Sequence, residues 1–217
     1  MKENYIITIG RQLGSGGREI GKKLSVNLDI SFYDKELIRI ASKESGLNEE
    51  LFERADEKKR FSLFGGLLGL QDSATNETWL NYYLTNETLF KIQSDVIRSL
   101  AEKGSSVFVG RCADNVLKDN PCCLNVFISA DIDERVKRVS EIQKIPGNKA
   151  RECIEKTDRK RARYYNYFSN KTWGAAESYH LCVNSSVLGI DETVTFISQF
   201  AEKRFSSPGT ISDAYPI

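Results

Sequence analysis

The sequence predicts an α/β fold of three layers, in which helices cover both faces of a five-stranded parallel sheet. Two observations lead to this prediction: the chain contains five short apolar runs, and segments with helical spacing of apolar residues separate them. Strands buried on both faces are short and continuously apolar, and parallel strands need crossover connections, usually helical. A length of 217 residues suits one large domain or two small ones.

The first run, Tyr5–Ile9, stops at a glycine-dense segment and predicts strand one. Ile20, Leu24 and Leu28 lie four apart, on one face of a helix. Ile30–Tyr33 predicts strand two, and helical spacing continues over 37–46 and 48–58.

Residues 61–78 break this alternation, because glycines among leucines are followed by a Ser/Thr/Asn run. We expect a mobile loop or a small inserted cap there. A long helix over Thr78–Lys103 precedes strand three at Val107–Val109.

Leu124–Ser129 predicts strand four. Asp131 is expected to cap the next helix in a capping box with Glu134, three residues later. The remaining elements are a long basic helix from Asn148, strand five at Leu181–Val183 and a final helix over Asp191–Arg204.

Composition excludes several classes of protein. Lys and Arg number 31 against 30 Asp and Glu, so the net charge of +1 argues against a nucleic-acid or membrane-surface binder. No apolar run approaches the ~20 residues of a membrane span. Because His180 is the single histidine, multi-histidine metal sites are excluded, and we expect it to be a structural or surface residue rather than a catalyst. Five cysteines without a CxxC pair indicate reduced thiols and a cytoplasmic location.

The predicted strands end in polar sequence. Because ligands bind beyond the carboxyl ends of parallel strands, these ends should form one pocket. They read Gly10-Arg11, Asp34, Gly110-Arg111, Ser129 and Asn184-Ser185.

A glycine loop, residues 10–17, lies between strand one and the first helix. It matches neither GxGxxG nor GxxxxGK[ST], so simple chain reversal is one interpretation. Arg11 and Arg18 favour the other, phosphate binding at a helix N-terminus, because guanidinium groups match phosphate geometry.

The long basic helix carries Lys156, Arg159, Lys160, Arg161 and Arg163. A solvated amphipathic helix would look the same. The alternative is an arginine lid over a polyphosphate, which would stabilise charge on a transferring phosphoryl group.

Together these segments resemble the cytidylate kinase-like family, a branch of the P-loop nucleoside monophosphate kinases. The segments that carry the resemblance span roughly residues 4 to 200: GRQLGSGGRE from Gly10, FYDKELI from Phe32, VGRCAD from Val109, TDRKRARYY from Thr157 and LCVNSS from Leu181.

The resemblance implies a single kinase-like domain over 1–205, with a movable acceptor-binding insertion at 35–80, a lid at 145–170 and a flexible tail at 206–217. It implies transfer of the γ-phosphoryl group of ATP to CMP or dCMP with Mg²⁺, and small-molecule nucleotides as the partners. The implied catalytic residues are Arg18, Asp158, Arg159, Arg161 and Arg163. The implied ATP site comprises Arg11, Gly14, Ser15, Gly16, Gly17 and Arg18. The implied acceptor site comprises Asp34, Arg39, Arg111 and Asp114.

The chain departs from the family pattern at two places. Gly17 and then Arg18-Glu19 stand where classical members carry a lysine followed by Ser/Thr, and no protein ligand for the metal is identified. Cys112 stands where cytidylate kinases have an aspartate. Either Arg18 or Arg11 is a candidate to replace the lysine charge. Two alternatives to a CMP kinase therefore stay open: a non-catalytic nucleotide-binding protein, and a kinase for a different small acceptor.

Overall fold

The computed structural model describes residues 4–35 and 76–206, with side chains described from residue 87 onward in the second range. The chain forms two compact units, one of residues 1–35 with 100–217 and the other of residues 36–99. The helices predicted at 37–46 and 48–58, the loop before residue 76 and the tail after residue 206 lie outside the described residues.

The described elements follow the predicted alternation of strands and helices. In chain order they are β1 (Ile6–Arg11), α1 (Gly17–Asn27), β2 (Ser31–Tyr33), α2 (Asn76–Glu102), β3 (Ser106–Val109), α3 (Ala113–Val116), β4 (Cys123–Ser129), α4 (Ile132–Gln143), α5 (Gly147–Ser169), a 3₁₀ turn (Ala176–Ser178), β5 (Leu181–Asn184) and α6 (Ser185–Ser206).

The five strands form one sheet in the order β2-β3-β1-β4-β5, and every pairing is parallel. β1 lies at the centre, with Ile9 beside Val109 of β3 and Val126 of β4. The carboxyl ends of β1 and β3 therefore lie side by side. The predicted α/β class with a five-stranded parallel sheet is confirmed.

One face of the sheet is covered by α1 and α6. Ile7 and Ile9 of β1 share a buried cluster with Ile20 and Leu24 of α1 and Ile197 of α6. All five side chains are at most 1% exposed. Burying a side chain of this size contributes about 1.5–3 kcal/mol, so this layer supplies much of the stability of the larger unit.

The opposite face carries aromatic side chains and polar pairs. The Phe127 ring lies 5.2 Å from that of Trp173 and 5.0 Å from that of Tyr179. On the same face Thr8 donates a buried hydrogen bond of 2.8 Å to Asn125. The backbone N–H of Asn125 donates to Nδ1 of His180 at 3.1 Å, which gives the single histidine a structural role.

The capping box predicted at Asp131 and Glu134 is wrong. Asp131 is the N-cap of α4, but its side chain makes no capping hydrogen bond. Its carboxylate instead accepts from the amide of Asn184 at 2.9 Å, and its N–H donates to Ser186 at 2.9 Å. A tertiary link to the end of β5 has replaced the local cap.

The last helix begins earlier than its predicted start at Asp191. α6 starts at Ser185 and contains a kink at Gly189, where φ is 75°. Helical spacing reveals only the segment after the kink. None of the helices in the described ranges is long and apolar enough to cross a membrane.

Candidate active site

The glycine loop links β1 to α1 by a turn that needs glycine. Gly14 and Gly16 have φ values of 81° and 75°, in the region that residues with a Cβ rarely adopt. A Cβ at Gly14 would also lie 2.8 Å from the carbonyl oxygen of Arg135. Gly16 is the N-cap of α1, and no side chain caps the helix start. The first N–H groups of α1 therefore remain available to an anion.

Three consecutive carbonyl groups of the loop are held by side chains from other elements. Nε of Arg135 donates to the carbonyl of Leu13 at 2.8 Å, and Arg138 donates to that of Gly14. The hydroxyl of Ser185 donates to the carbonyl of Ser15 at 2.8 Å. With its acceptors engaged, the loop presents mainly backbone donors, as a phosphate site requires.

Asp158 of α5 also contacts the glycine loop. One carboxylate oxygen accepts the N–H of Leu13 at 2.8 Å, and the other pairs with Arg135. Its side chain is 15% exposed and that of Arg135 only 7%. The structure thus places Asp158, implied to be catalytic, as a positioning residue for the glycine loop.

The other implied lid residues divide into two groups. Nη1 of Arg161 donates to the carbonyl of Arg11 at 2.9 Å, so α5 is tied to the start of the loop. Arg159 pairs with Glu155 at 3.6 Å, and Arg163 is exposed. Only Arg161 of these three arginines lines the cavity described next.

A cavity of about 340 Å³ opens at the carboxyl ends of β1 and β3. Its cationic lining residues come from four separate segments: Arg11, Lys35, Arg111, Lys160 and Arg161. Asp114 is the one acidic residue among its described lining residues. The excess of positive charge suits a ligand that carries several negative charges.

The backbone at one wall of this cavity is strained. Gly110, Arg111 and Cys112 have φ values of 84°, 62° and 53°, three consecutive residues in the left-handed region. Such conformations cost about 1–3 kcal/mol per non-glycine residue and cluster at functional sites. The strain orients Arg111, whose Cζ lies 5.6 Å from the ring centroid of Tyr164. Burial raises the pKa of the Cys112 thiol to about 12, so Cys112 remains protonated and is not a nucleophile.

Asp114 lies at the base of the cavity and is 6% exposed. It accepts a hydrogen bond of 2.7 Å from the hydroxyl of Tyr165. Burial raises the pKa of Asp114, although Tyr165 and the positive charge of Lys171 partly oppose this. The carboxylate therefore lies in an environment that favours a hydrogen-bonded or positively charged ligand group.

This raised pKa predicts a pH effect on folding. Because the pKa of Asp114 is higher in the folded chain than the ordinary 3.8, the folded state binds more protons above that pH. The contribution of Asp114 to stability should then fall as pH rises from about 4 to its folded pKa. Asp114→Asn should show a smaller fall than the parent protein in thermal melts between pH 4 and 7. Equal slopes for the two proteins would contradict the prediction.

Arg18 does not line the cavity. Its guanidinium donates to Asp34, with Nε and Nη2 each 2.7 Å from Oδ2. The side chain of Arg18 is 67% exposed, whereas that of Asp34 is 7% exposed. Neither residue lines the cavity, and Arg39 lies outside the described residues.

The described residues do not fit a magnesium site built by the protein. The hydroxyl of Ser15 is buried and donates to the carbonyl of Gln12 at 2.9 Å. In the ranges that the structure describes, no three His, Cys, Asp or Glu side chains are grouped to hold a metal ion. Magnesium that accompanies a nucleotide would depend on the phosphates and water for its ligands.

A comparison with known proteins identifies the family of the chain. A sequence profile described as the cytidylate kinase-like family matches residues 6–187. The chain belongs to the cytidylate kinase-like family. This confirms the resemblance seen in the sequence and the kinase-like class of the protein. No curated protein matches the chain significantly.

Three solved structures are similar to this chain over nearly its whole length. An uncharacterized protein from Eubacterium ventriosum ATCC 27560 is 28% identical, with a TM-score of 0.70, and the match covers 91% of this chain and 98% of that one. TT1252 from Thermus thermophilus is 15% identical, with a TM-score of 0.52 and coverage of 93% and 98%. A shikimate kinase from Bacteroides thetaiotaomicron is 15% identical, with a TM-score of 0.49 and coverage of 94% and 100%.

Sequence reasoning about this family member missed Arg135, Arg138 and Tyr165. The two arginines lie three apart on α4, in a helix that otherwise looks like an ordinary charged surface helix. Both arginines follow the end of β4 closely in the sequence, and that end belongs to the predicted pocket. This closeness is the one sequence signal that could have indicated a role for them in the site. Tyr165 follows the basic residues of α5 in the sequence, and its position there does not by itself indicate a contact with Asp114.

Proposed function

We propose that the protein transfers the γ-phosphoryl group of ATP to a nucleoside monophosphate, with CMP or dCMP the preferred acceptor. One observation supports this best: the glycine loop and the cationic cavity share the residue pair Arg11 and Arg161. Arg11 ends β1 at the start of the loop, and Arg161 donates to its carbonyl from α5. A donor bound at the loop and an acceptor in the cavity would meet at this pair.

The reaction needs little acid–base chemistry from the protein. A phosphate oxygen of the acceptor bonds to the γ-phosphorus, and the bond from that phosphorus to the β,γ-bridging oxygen breaks, leaving its electron pair on ADP. At neutral pH the attacking oxygen is already deprotonated, so no general base is required. Catalysis is then positioning and charge stabilisation, and Arg11, Arg161 and Arg111 offer three guanidinium groups at the cavity for this.

The acceptor would occupy the end of the cavity formed by Arg111 and Asp114. Arg111 is oriented by the strained turn and by Tyr164, and would hold the acceptor phosphate. Asp114 would accept a hydrogen bond from the base or ribose while Tyr165 fixes its other contacts. Because Cys112 replaces the family's aspartate and is 3% exposed, base recognition depends on Asp114 more than in classical members.

A coupled assay tests this function. ATP, MgCl₂ and a panel of acceptors are supplied, and ADP formation is measured, with shikimate and other small hydroxyl compounds beside the nucleoside monophosphates. We expect turnover with CMP or dCMP and at most slow hydrolysis without an acceptor. Turnover only outside the nucleoside monophosphates would make the protein a kinase for another acceptor. Nucleotide-dependent thermal stabilisation without any transfer would make it a binding protein.

A further inference from the structure

The space beside Gly17 is filled by the aliphatic part of Arg11. A Cβ built on Gly17 would lie 2.6 Å from Cβ of Arg11 and 3.0 Å from its Cγ. Real Cβ atoms do not approach other carbons this closely, so any side chain at position 17 would displace Arg11. Position 17 is the one at which classical family members carry their lysine. The absence of a side chain there thus has a steric cause in this chain.

The far end of the same side chain passes Gly110. A Cβ on Gly110 would overlap Nη1 of Arg11 and would lie 3.1 Å from its Cζ. Arg11 therefore runs from the base of the glycine loop, past Gly17, to the turn after β3. This course takes its guanidinium to the boundary between the loop and the cavity, which Arg11 also lines.

The environment of this guanidinium group favours the binding of an anion. Burial and the positive charges of Arg161 and Arg111 lower the pKa of Arg11 to about 9, while Asp34 and Asp158 act in the opposite direction. Arg11 therefore remains protonated at neutral pH, in surroundings that disfavour its charge. A phosphate group between the arginines would offset that repulsion.

Arg18 does not have these properties. It is the other cation that the sequence offers for the lysine's role, but its guanidinium is bonded to Asp34 and is largely exposed. Arg18 is also not among the residues that line the cavity. The geometry therefore separates two candidates that the sequence leaves equal.

We propose that Arg11 takes the place of the missing lysine and contacts the phosphoryl group that is transferred. This inference rests on the proposed function for the identity of the donor. It implies that Arg11 and a lysine at position 17 are two mutually exclusive ways to place one cation beside the γ-phosphate. Gly17 and Gly110 are then the two positions that must lack side chains for Arg11 to reach it.

Binding measurements test the inference independently of turnover. Calorimetric Kd values for ATP and ADP are compared in the parent protein, Arg11→Gln and Arg11→Lys, since glutamine keeps much of the stem and lysine keeps the charge. We expect Arg11→Gln to weaken ATP binding by ~10-fold or more, as for the loss of a charged hydrogen bond, and ADP binding by clearly less. Arg11→Lys should keep part of the preference for ATP. Arg151→Ala is the matched control, because it removes one exposed arginine from α5.

A swap provides the second arm. Arg11→Gly combined with Gly17→Lys should recover part of the ATP preference that Arg11→Gln loses, because the Cβ and Cγ atoms that fill the space beside position 17 are then absent. Gly17→Lys alone should weaken ATP binding and lower the thermal midpoint. Equal loss of ATP and ADP affinity in Arg11→Gln, or tighter ATP binding in Gly17→Lys with Arg11 present, would overturn the inference. If the parent protein binds ATP more tightly than ADP but never transfers phosphate, the proposed function is wrong. The comparison of ATP and ADP affinities would still test the role of Arg11.

Discussion

Arg161→Ala should lower the turnover of ATP with the preferred acceptor by ~10²-fold or more, as the loss of a preorganised charge donor does. Arg161 lines the cavity and donates to the carbonyl of Arg11 at 2.9 Å, so its removal takes one guanidinium from the cavity and releases the start of the loop. Burial lowers the pKa of Arg161, while Asp158 partly opposes this. Steady-state kinetics should show the loss mainly in kcat, because in the proposed reaction Arg161 would stabilise charge that develops during transfer.

Lys156→Ala is the matched control for this variant, since it removes one cation from an exposed position of the same helix. Its kcat should stay within about twofold of the parent value, as is usual for surface charges. Arg159→Ala and Arg163→Ala in the same assay test the remaining arginines implied by the family pattern. An unchanged kcat in Arg161→Ala would remove this residue from the transfer step.

Asp158→Ala should destabilise the protein by about 3–5 kcal/mol, the usual loss when one partner of a buried ion pair is removed. Arg135 would keep a charge in a side chain only 7% exposed, and the N–H of Leu13 would lose its acceptor. Chemical denaturation of parent and variant measures this change in the free energy of unfolding, provided that the two proteins have equal m-values. Nucleotide affinity should fall as well, because the carboxylate holds the glycine loop.

Asp133→Ala is the control, because Asp133 pairs with Arg151 at 3.3 Å on the surface and its side chain is 91% exposed. It should change stability by less than about 1 kcal/mol. Replacing both members of the buried pair, Asp158→Leu with Arg135→Met, should recover stability but not nucleotide binding, because the loop still lacks both partners. Recovery of binding in that double variant would contradict the positioning role of Asp158.

The fold was predictable because its three central strands, β1, β3 and β4, are buried over most of their length. Runs such as Tyr5–Ile9 and Leu124–Ser129 are mostly apolar and do not alternate regularly between apolar and polar residues. This pattern is typical of strands in a parallel sheet that is covered on both faces. The pocket was predictable for a related reason, since the ends of parallel strands meet at one edge. Arg11, Arg111 and Asp114 follow from that rule and from the family pattern, and all three line the cavity.

The contacts that shape the glycine loop were not predictable from local sequence. Arg135 and Arg138 hold carbonyl groups more than 120 residues away in the chain, and periodicity carries no information about such partners. The same limit explains Asp131, whose cap pattern is local but whose actual partner, Asn184, lies on another element. Steric relations such as that of Arg11 to Gly17 appear only once the backbone is in place.

The bonds from Asp158 and Arg161 to the glycine loop have a consequence for motion. If α5 moves as a lid, those bonds must break or carry the loop with them, because both side chains belong to α5. The conformation of the loop and the position of the helix are then thermodynamically linked, and a ligand that selects one selects the other. A nucleotide that binds the loop in the conformation described here would thereby favour the described position of α5.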